Sequence, residues 1–435
     1  MVSPSPSPTA LAHHTDGHDA STDAPRAGAP APAAERSSKS LIVVLGALTA
    51  VTPLAIDMYV PGFPSMGKSL GTSSSAVQLT MTAFLAGLVA GQLLIGPLSD
   101  RLGRRRLLIG GAAGFILLSV ACALAPNVGL LTAARFLQGV SGAAGTVLAR
   151  AVLTDRFQGA ELPRHFAVLS QILGVAPIAA PVLGGAVLSV AGWRTVFALL
   201  AVLGVLLLLA VVRAVPETLP PERRQSGGLT STFRAMGTLL TRRTFMGYVL
   251  VLAFVSATLF TYISGSSFVF EHLHGVSSTT YSLIFATNAV GMLVSGSVFA
   301  RLVRRGVRLN TLLTAGVSLA ALGTLAQVLL VLTAGETLAG TWASLFVTVA
   351  AIGLILPAVM SIAQTLGRRS PGAASAVLGG LQFLCGALAS PLVGLFGEGS
   401  SLPMAVIMLL AMAAAAVALT ALARPWRREG EPSDG

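Results

Sequence analysis

Residues 96–106 read GPLSDRLGRRR and residues 296–306 read GSVFARLVRRG, so one pattern of glycine, leucine and arginine occurs twice in the chain. Each copy lies between the second and third of six apolar windows in its half of the chain. A parallel repeat of six helices predicts a substrate cavity between the two halves, near the middle of a membrane. The second copy has Ala300 where the first has Asp100, so the two loops are not chemically equivalent.

The composition of the 435-residue chain is that of a membrane protein, with 54% hydrophobic and 10% charged residues. A soluble domain has about 25% charged residues. Apolar windows recur along the chain, and each is long enough to cross about 30 Å of hydrocarbon as a helix. Twelve windows lie at about 41–62, 76–98, 106–125, 129–153, 164–190, 194–214, 244–270, 279–300, 308–333, 340–364, 371–396 and 402–424. We predict an all-α membrane protein with twelve transmembrane helices in two six-helix bundles.

Basic residues lie mostly in loops on one side of the predicted membrane. If residue 1 is cytoplasmic, the outside loops keep only Lys68 and Arg194. An excess of basic residues in cytoplasmic loops sets the orientation of membrane proteins, so both termini are predicted to be cytoplasmic. The net charge of +12 therefore indicates a lipid bilayer as the partner, and nucleic acid is not expected.

The chain divides into five segments by composition. The N-terminal residues are rich in Pro, Ala and Ser and cannot bury a core, and a Pro- and Gly-containing loop separates the two sets of six windows. We predict a disordered cytoplasmic tail at 1–39, an N-terminal bundle at 40–214, a cytoplasmic loop at 215–243, a C-terminal bundle at 244–424 and a cytoplasmic tail at 425–435.

The sequence predicts no metal site and no cofactor. HHTDGHD, residues 13–19, has the composition of a metal-binding tract, but in a polar tail we favour a solvated segment. Cys122 and Cys385 both lie inside apolar windows, which excludes a disulfide framework and a thiolate metal site. No nucleophile lies with a base or a metal cluster at a common depth, so an enzyme is not expected.

Charged residues away from the window ends are few: Asp57 in the first window, and Arg135 and Arg150 in the fourth. Each costs about 2.5 to 3.5 kcal/mol near the bilayer centre. Counting residues along the helices places Asp57 and Arg135 in the outer third, where an ion pair or a water-bridged pair is plausible. The pair is either a structural salt bridge, with side chains that snorkel to the outer interface, or a protonatable carboxylate tuned by burial and a guanidinium. Pro61 and Pro64 then end the helix at the outer surface, and Tyr59 is a possible interfacial anchor.

The acid in the first arginine-rich loop predicts a gate. Asp100 at the end of the second helix can accept N–H bonds from the start of the eleventh helix, SPGAAS at 370–375. Arg104, one turn later, could reach Asp155 at the end of the fourth helix. The alternative is a basic loop that only sets membrane orientation, but that alternative does not explain the acid.

The fifth window contains GVAPIAAPVLGG at 174–185. Internal prolines and glycines predict a bent helix that packs closely against the other half. Its motif residues are Gly174, Pro177, Pro181, Gly184 and Gly185. Polar and aromatic groups that either line the cavity or hold helices together are Gln138, Gln171, Phe254, Asn288, Gln364 and Gln382.

These motifs resemble the major facilitator superfamily. GPLSDRLGRRR resembles its signature loop, ARFLQGVSGAAGTVLARAVLTDRF at 134–157 its helix-four arginine motif, and GVAPIAAPVLGG its antiporter motif. LAIDMYVPGFP at 54–64 and GAASAVLGGLQFLCGALAS at 372–390 are similar to the bicyclomycin and chloramphenicol resistance branch, Bcr/CflA.

The resemblance implies a bacterial cytoplasmic-membrane transporter that acts as a monomer by alternating access and expels drugs in exchange for protons. It implies that Asp57 is the helix-one acid and that Arg135 takes part in proton coupling. It places the helix-five motif at the bundle interface. The cytoplasmic gate that it implies comprises Gly96, Asp100, Arg101, Gly103, Arg104 and Asp155.

We therefore expect a proton-coupled exporter of small, neutral or weakly cationic amphipathic compounds, such as chloramphenicol- or bicyclomycin-like drugs. The nearest alternative is a facilitator or proton symporter for a sugar or another metabolite. A second alternative is a membrane receptor or scaffold that does not transport.

Overall fold

A computed structural model describes residues 32–157, 161–223, 229–367, 371–395 and 399–427. Every regular element within these ranges is a helix. Twelve long helices are found there: α1 (Pro32–Asp57), α2 (Ser74–Leu102), α3 (Arg104–Leu124), α4 (Val128–Arg156), α5 (Glu161–Val190), α6 (Trp193–Ala214), α7 (Arg243–Ser267), α8 (Ser278–Arg304), α9 (Leu309–Ala334), α10 (Leu338–Leu366), α11 (Pro371–Ala389) and α12 (Leu402–Val417). Each predicted window coincides with one of them, so the all-α prediction is confirmed.

The helices are long and apolar enough to cross a membrane. Eleven segments of the described chain meet this criterion by length and composition, and Val175–Val190 in α5 is a shorter apolar helix. Four segments extend beyond the helices named above. They are Ser40–Leu70, Arg243–Leu273, Ala373–Leu395 and Leu402–Ala423, which continue α1, α7, α11 and α12.

Two predicted irregular segments are partly helical. α1 begins at Pro32, so the predicted tail 1–39 is wrong over its last residues. Ala, Glu and Arg there favour a helix, and proline is suited to a first helical position. The rest of that tail, with the histidine tract 13–19, lies outside the described residues. The predicted loop 215–243 contains a helix, Leu229–Leu240, which packs on α7 and α11.

The helices form two bundles that meet along two pairs of helices. In the first half, α2 and α3 pack on α4, α1 packs on α5, and α3 packs on α6. In the second half, α9 and α8 pack on α10, and α7 packs on α11 and α12. The halves meet where α5 contacts α8 and where α2 contacts α11.

Glycines allow the closest helix contacts. A methyl group added at Gly139 of α4 would lie 2.1 Å from the Phe84 carbonyl oxygen of α2, and one at Gly87 would lie 1.9 Å from the Phe136 carbonyl oxygen. Only glycine permits such close approach of the backbones, as in other helix pairs within membranes.

Because the helices alternate in direction, α1 begins and α12 ends on the same side of the protein. We call this the terminal side and the other the opposite side. Odd-numbered helices run from the terminal side to the opposite side, and even-numbered helices run back.

Candidate functional site

The first span is a broken helix with an acid at the break. α1 ends at Asp57, the chain bends, and a 3-10 turn at Val60–Gly62 leads into a second helix, Phe63–Leu70. Pro61 and Pro64 each occupy one of the first two positions of a new helical element, where a missing N–H costs nothing. These prolines restart the helix, so the expectation that they end it at the outer surface is wrong.

The break places Asp57 near the middle of the span. It follows Ser40 by seventeen residues and precedes Leu70 by thirteen. By length and composition the span continues beyond the prolines, and the outer-third position of Asp57 stays a prediction. Broken helices near the middle of a membrane are a recurring device for forming binding sites in transporters.

One oxygen of the Asp57 carboxylate has no hydrogen-bond partner among the described residues. Asp57 is 3% exposed, and its Oδ1 atom is buried without a hydrogen bond to any described residue. An unpaired carboxylate at this depth costs several kcal/mol. The charged form of Asp57 is therefore costly, and uptake of a proton removes that cost.

Asp57 lies on the wall of a cavity between the two bundles. The cavity has a volume of about 550 Å³, and residues from both halves line it. Tyr262 and Phe285 of the second half are on its wall and stack on each other, with ring centroids 5.2 Å apart. Arg150 is the other charged residue among the described lining residues.

The cavity reaches the terminal side. Gln364, two residues before the end of α10, and Ser375, near the start of α11, both line it. Gln364 Nε2 donates a 2.8 Å hydrogen bond to Ser375 Oγ. A solute on the terminal side would meet these polar groups before it reached Asp57.

Hydrogen bonds between the halves close the opposite side. Gln78 Nε2 of α2 donates to the Ser264 carbonyl oxygen at 3.2 Å, and the Gly394 N–H donates to Gln78 Oε1 at 3.0 Å. Thr82 Oγ1, one turn along α2, donates to the Ala387 carbonyl oxygen at 2.9 Å. These contacts separate the cavity from the opposite side.

Within the described part of the chain Arg135 makes no direct ion pair with Asp57, so of the two predicted arrangements only a water-bridged pair stays a prediction. The guanidinium is fully buried among aromatic rings, with Cζ 4.2 Å from the Phe84 centroid and 4.4 Å from the Tyr59 centroid. It donates a 3.0 Å bond to the Ala55 carbonyl oxygen. The last carbonyl groups of a helix lack intrahelical donors, so Arg135 satisfies an acceptor that the break in α1 creates.

The environment of Arg135 also corrects two other expectations. Gln138 accepts from Arg135 at 2.6 Å and donates to Ser119 Oγ at 2.7 Å, both inside the first bundle. Gln138 is therefore part of a buried network and does not line the cavity. Tyr59 is fully buried, with its hydroxyl 3.3 Å from Thr80 Oγ1, and is not an interfacial anchor.

The helix-five motif contacts both halves. Pro177 lies on the cavity wall, and Pro181 is buried further along the same helix. A methyl group added at Gly184 would lie 1.9 Å from the Met58 carbonyl oxygen at the break in α1. One added at Gly185 would lie 2.2 Å from Ser282 Oγ of α8, in the other half.

The remaining motif residue, Gly174, lies in α5, but its surroundings are outside the described part of the structure.

The arginine-rich loop at 96–106 forms an ion-pair cluster on the terminal side. Arg104 pairs with Asp100 at 2.6 Å and with Asp155 at 3.1 Å, so the predicted contact between Arg104 and Asp155 is present. Gly103, between α2 and α3, has φ of 97°, a conformation that favours glycine. Arg101 is exposed beside it.

Gly96 lies five residues before Arg101 on α2. A methyl group added at Gly96 would be 3.9 Å from Val147 of α4. The predicted target of Asp100, SPGAAS at 370–375, includes residue 370 and side chains that lie outside the described part of the chain.

Sequence reasoning missed the acid that completes this cluster. Glu217, after α6, accepts the backbone N–H of Arg104 at 2.9 Å and that of Arg105 at 3.3 Å. Thr218 Oγ1 donates to Asp155 Oδ2 at 3.0 Å. α3 follows Gly103 and has no side-chain cap of its own, so its first N–H groups need an acceptor from elsewhere. The sequence signal for this contact was the acidic residue that follows α6.

The other predicted cavity residues divide into three groups. Gln364 and Gln382 line the cavity. Asn288 is buried behind the wall and donates a 3.0 Å hydrogen bond to the Tyr262 hydroxyl, and Phe254 is not among the lining residues. For these two residues the structure favours the second of the two stated alternatives, contacts between helices, because both pack within the second bundle. The side chain of Gln171 lies outside the described part of the structure.

Comparison with known proteins assigns the chain to a family. A sequence model of the Major Facilitator Superfamily matches residues 45–390. The chain is 40% identical to the uncharacterized MFS-type transporter YdgK of Bacillus subtilis (strain 168), over 85% of this chain and 92% of the relative. It is 29% identical to the bicyclomycin resistance protein homolog of Haemophilus influenzae, over 86% of this chain and 94% of the relative.

The fold also occurs among solved structures. The crystal structure of a D-xylose-proton symporter matches with a TM-score of 0.69 and 16% identity, over 89% of this chain and 98% of the other. At this identity the likeness concerns the fold alone.

Proposed function

Because the chain belongs to the major facilitator superfamily, we propose that it exports small amphipathic antimicrobial compounds from a bacterial cell in exchange for protons. The proposal includes a monomer in the cytoplasmic membrane and no enzymatic activity. The name of the Haemophilus influenzae relative, a bicyclomycin resistance protein homolog, supports the substrate class.

The observation that carries the proposal is the unpaired carboxylate of Asp57 on the cavity wall. Asp57 binds a proton when the cavity opens to the outside and releases it when the cavity opens to the cytoplasm. The proton's movement along the membrane potential supplies about 2.3 kcal/mol per 100 mV. Substrate and proton compete for the region around Asp57, which couples the export of one to the entry of the other.

The orientation follows from the distribution of charge. Arginines lie at the terminal-side ends of α2 and α8, including Arg101 and Arg301, whereas Lys68 and Arg194 lie on the opposite side. The excess of basic residues supports a cytoplasmic terminal side. The cavity is then open to the cytoplasm, where an exporter takes up its substrate.

The cluster around Arg104 acts as the cytoplasmic gate in this proposal. Its ion pairs with Asp100 and Asp155 tie α2, α3 and α4 together within the first bundle. When the terminal side closes, the Asp100 carboxylate approaches the start of α11 and meets the positive end of its dipole. The cluster therefore moves as one unit with the first half.

An importer of sugars or other metabolites shares this fold, as the D-xylose-proton symporter shows. Transport by purified protein in vesicles decides between the two directions. With labelled chloramphenicol and an imposed pH gradient, we expect uphill movement against the proton flux. Movement of chloramphenicol together with the protons would indicate a symporter.

The variant Asp57→Asn tests the coupling. We expect it to bind chloramphenicol but to lose uphill transport, whereas Asp57→Glu keeps part of it. The matched control is Glu336→Gln, which changes a carboxylate outside the cavity, on the opposite side. Uphill transport by Asp57→Asn at the rate of the parent protein would refute the coupling role.

A further inference from the structure

Arg150 of α4 is a cation that neither the gate nor the coupling site uses. It lies on the cavity wall and is exposed to the cavity. Within the described part of the chain no hydrogen bond or ion pair satisfies its guanidinium. Two other arginines discussed above differ, because Arg104 pairs with acids and Arg135 donates to Ala55 and Gln138.

Asp57 is too distant to neutralise Arg150. A methyl group added at Gly145 of α4 would lie 2.7 Å from the Leu48 carbonyl oxygen of α1, so these two residues are at the same level. From there Asp57 is nine residues towards the opposite side, and Arg150 is five residues towards the terminal side. At about 1.5 Å per residue the two backbones are about 20 Å apart along the cavity.

The surroundings of Arg150 define what it could bind. Thr146 is one turn earlier on the same face of α4, and Gln92 of α2 also lines the cavity. Between this polar end and Asp57 the wall is largely apolar and aromatic, including Phe260, Phe383 and other hydrophobic side chains. The arrangement fits a molecule with an anionic group at one end and an apolar body.

We propose that Arg150 receives a carboxylate of the transported compound at the cytoplasmic mouth of the cavity, so that amphipathic organic acids and zwitterions are preferred substrates. This inference rests on the proposed export function and names its substrate class. A guanidinium matches a carboxylate with two parallel hydrogen bonds. The unpaired charge also disfavours cationic compounds, which changes the expectation of weakly cationic substrates drawn from the sequence.

The test is binding of acids and their methyl esters to purified protein at pH 7.4. Norfloxacin and nalidixic acid serve as acid probes, and each is compared with its methyl ester. The ester keeps the apolar body and lacks the negative charge of the carboxylate. We expect at least one acid to bind about tenfold more tightly than its ester, the factor expected of one charge-assisted hydrogen bond or more. Equal affinity in both pairs would overturn the proposal.

The variant Arg150→Gln should bring the acid-to-ester ratio close to one. Arg156→Gln is the matched control, because Arg156 lies on the same helix and is exposed but does not line the cavity. If Arg150→Gln cannot be purified, Arg150→Lys replaces the planar fork by a single ammonium, and the ratio should fall at least threefold. A ratio that either variant leaves at the parent value refutes the role of Arg150.

Two further measurements separate the alternatives. Addition of phosphatidylglycerol should leave acid binding intact, and its loss would assign Arg150 to a lipid phosphate and refute the proposal. Chloramphenicol carries no charge, so its exchange for protons, measured in the parent protein and in Arg156→Gln, is independent of any preference for acids. Export of chloramphenicol without any acid preference would refute this inference alone, whereas absence of uphill transport for every compound would refute the proposed function.

Discussion

Gly185 of α5 controls how closely the two halves approach on the opposite side, and Gly185→Ala should therefore favour the state that is open there. The added methyl group would lie 2.2 Å from Ser282 Oγ, 2.8 Å from Ser282 Cβ and 3.2 Å from the Ser278 carbonyl oxygen. The hydroxyl can rotate away if it gives up its 2.7 Å bond to that carbonyl. Ser282 Cβ is fixed to the backbone of α8, so the helices must separate until it reaches ordinary contact at 3.4 to 4 Å.

The magnitude follows from the cost of overpacking. A misfit of this size costs about 1 to 3 kcal/mol in a well-packed interior. Only the state that is closed on the opposite side carries this cost, because α5 and α8 move apart when that side opens. The ratio of the two states should change by a factor of about 5 to 150 in favour of the open one.

The assay is a pulsed electron spin resonance distance between labels on the two halves. Lys68 and Thr337 are exposed on the opposite side, one in each half, and can be changed to Cys after Cys122 and Cys385 are replaced by Ala. Gly185→Ala should increase the population with a longer distance between the labels. An unchanged distance distribution would refute the argument.

Two other glycine substitutions are controls. Gly184→Ala places its methyl group 1.9 Å from the Met58 carbonyl oxygen in the same half, so it should lower stability without a shift between the states. Gly110→Ala meets nothing within 4 Å and should change neither quantity. A shift of equal size with Gly110→Ala would also refute the argument.

Three other substitutions test the assigned contacts. Arg135→Leu leaves the Ala55 carbonyl oxygen without its donor and Gln138 Oε1 with only the weak Cys122 thiol donor. It should therefore destabilise the protein by about 2 to 5 kcal/mol, measured as a lower thermal unfolding midpoint in detergent. An unchanged midpoint contradicts this role. Glu217→Gln removes a carboxylate that accepts two N–H groups at the start of α3, and it should speed proteolysis of the loop after α6. Glu222 is an exposed acid in the same loop, and Glu222→Gln should not change the rate of proteolysis. For Glu336, burial alone would raise its pKa, but hydrogen bonds from Ser400 and Ser401 outweigh burial and lower the pKa below its usual 4.5. Its stabilising effect is then full above about pH 4.5 and is lost as the pH falls through the folded-state pKa, so the deficit in thermal stability of Glu336→Gln should shrink below pH 4.5; a deficit independent of pH would contradict the assignment.

The helices and the arginine-rich cluster could be predicted from sequence because their signals are local. Each window carries its own hydrophobicity, and the length needed to cross a membrane fixes its approximate bounds. The pair of Asp100 and Arg104 is one helical turn apart, which places the two side chains together. The contact of Arg104 with Asp155 could be predicted because Asp100 and Asp155 lie near the ends of α2 and α4, on the same side of the protein.

The partners of Arg135 could not be predicted, because they depend on where α1 breaks. Counting residues along an unbroken helix placed Asp57 at the level of Arg135, and opposite charges then suggested a pair. The break exposes the Ala55 carbonyl oxygen, and three aromatic rings surround the guanidinium. Neither feature is local in sequence. Glu217 was missed for a similar reason, because its contacts with Arg104 and Arg105 join residues more than one hundred positions apart.

The use of Arg135 as a partner for the broken helix bears on how Asp57 functions. If Arg135 neutralised Asp57, any change in protonation of the acid would also disturb the packing of the first bundle. In the structure the Arg135 guanidinium donates to the Ala55 carbonyl oxygen and to the side-chain amide oxygen of Gln138. Asp57 lies on the cavity wall and makes no direct ion pair with Arg135 among the described residues. The protonation of Asp57 can therefore change without loss of the contacts that keep the break in shape. It follows that Asp57→Asn should affect coupling with little effect on stability, whereas Arg135→Leu should affect stability first.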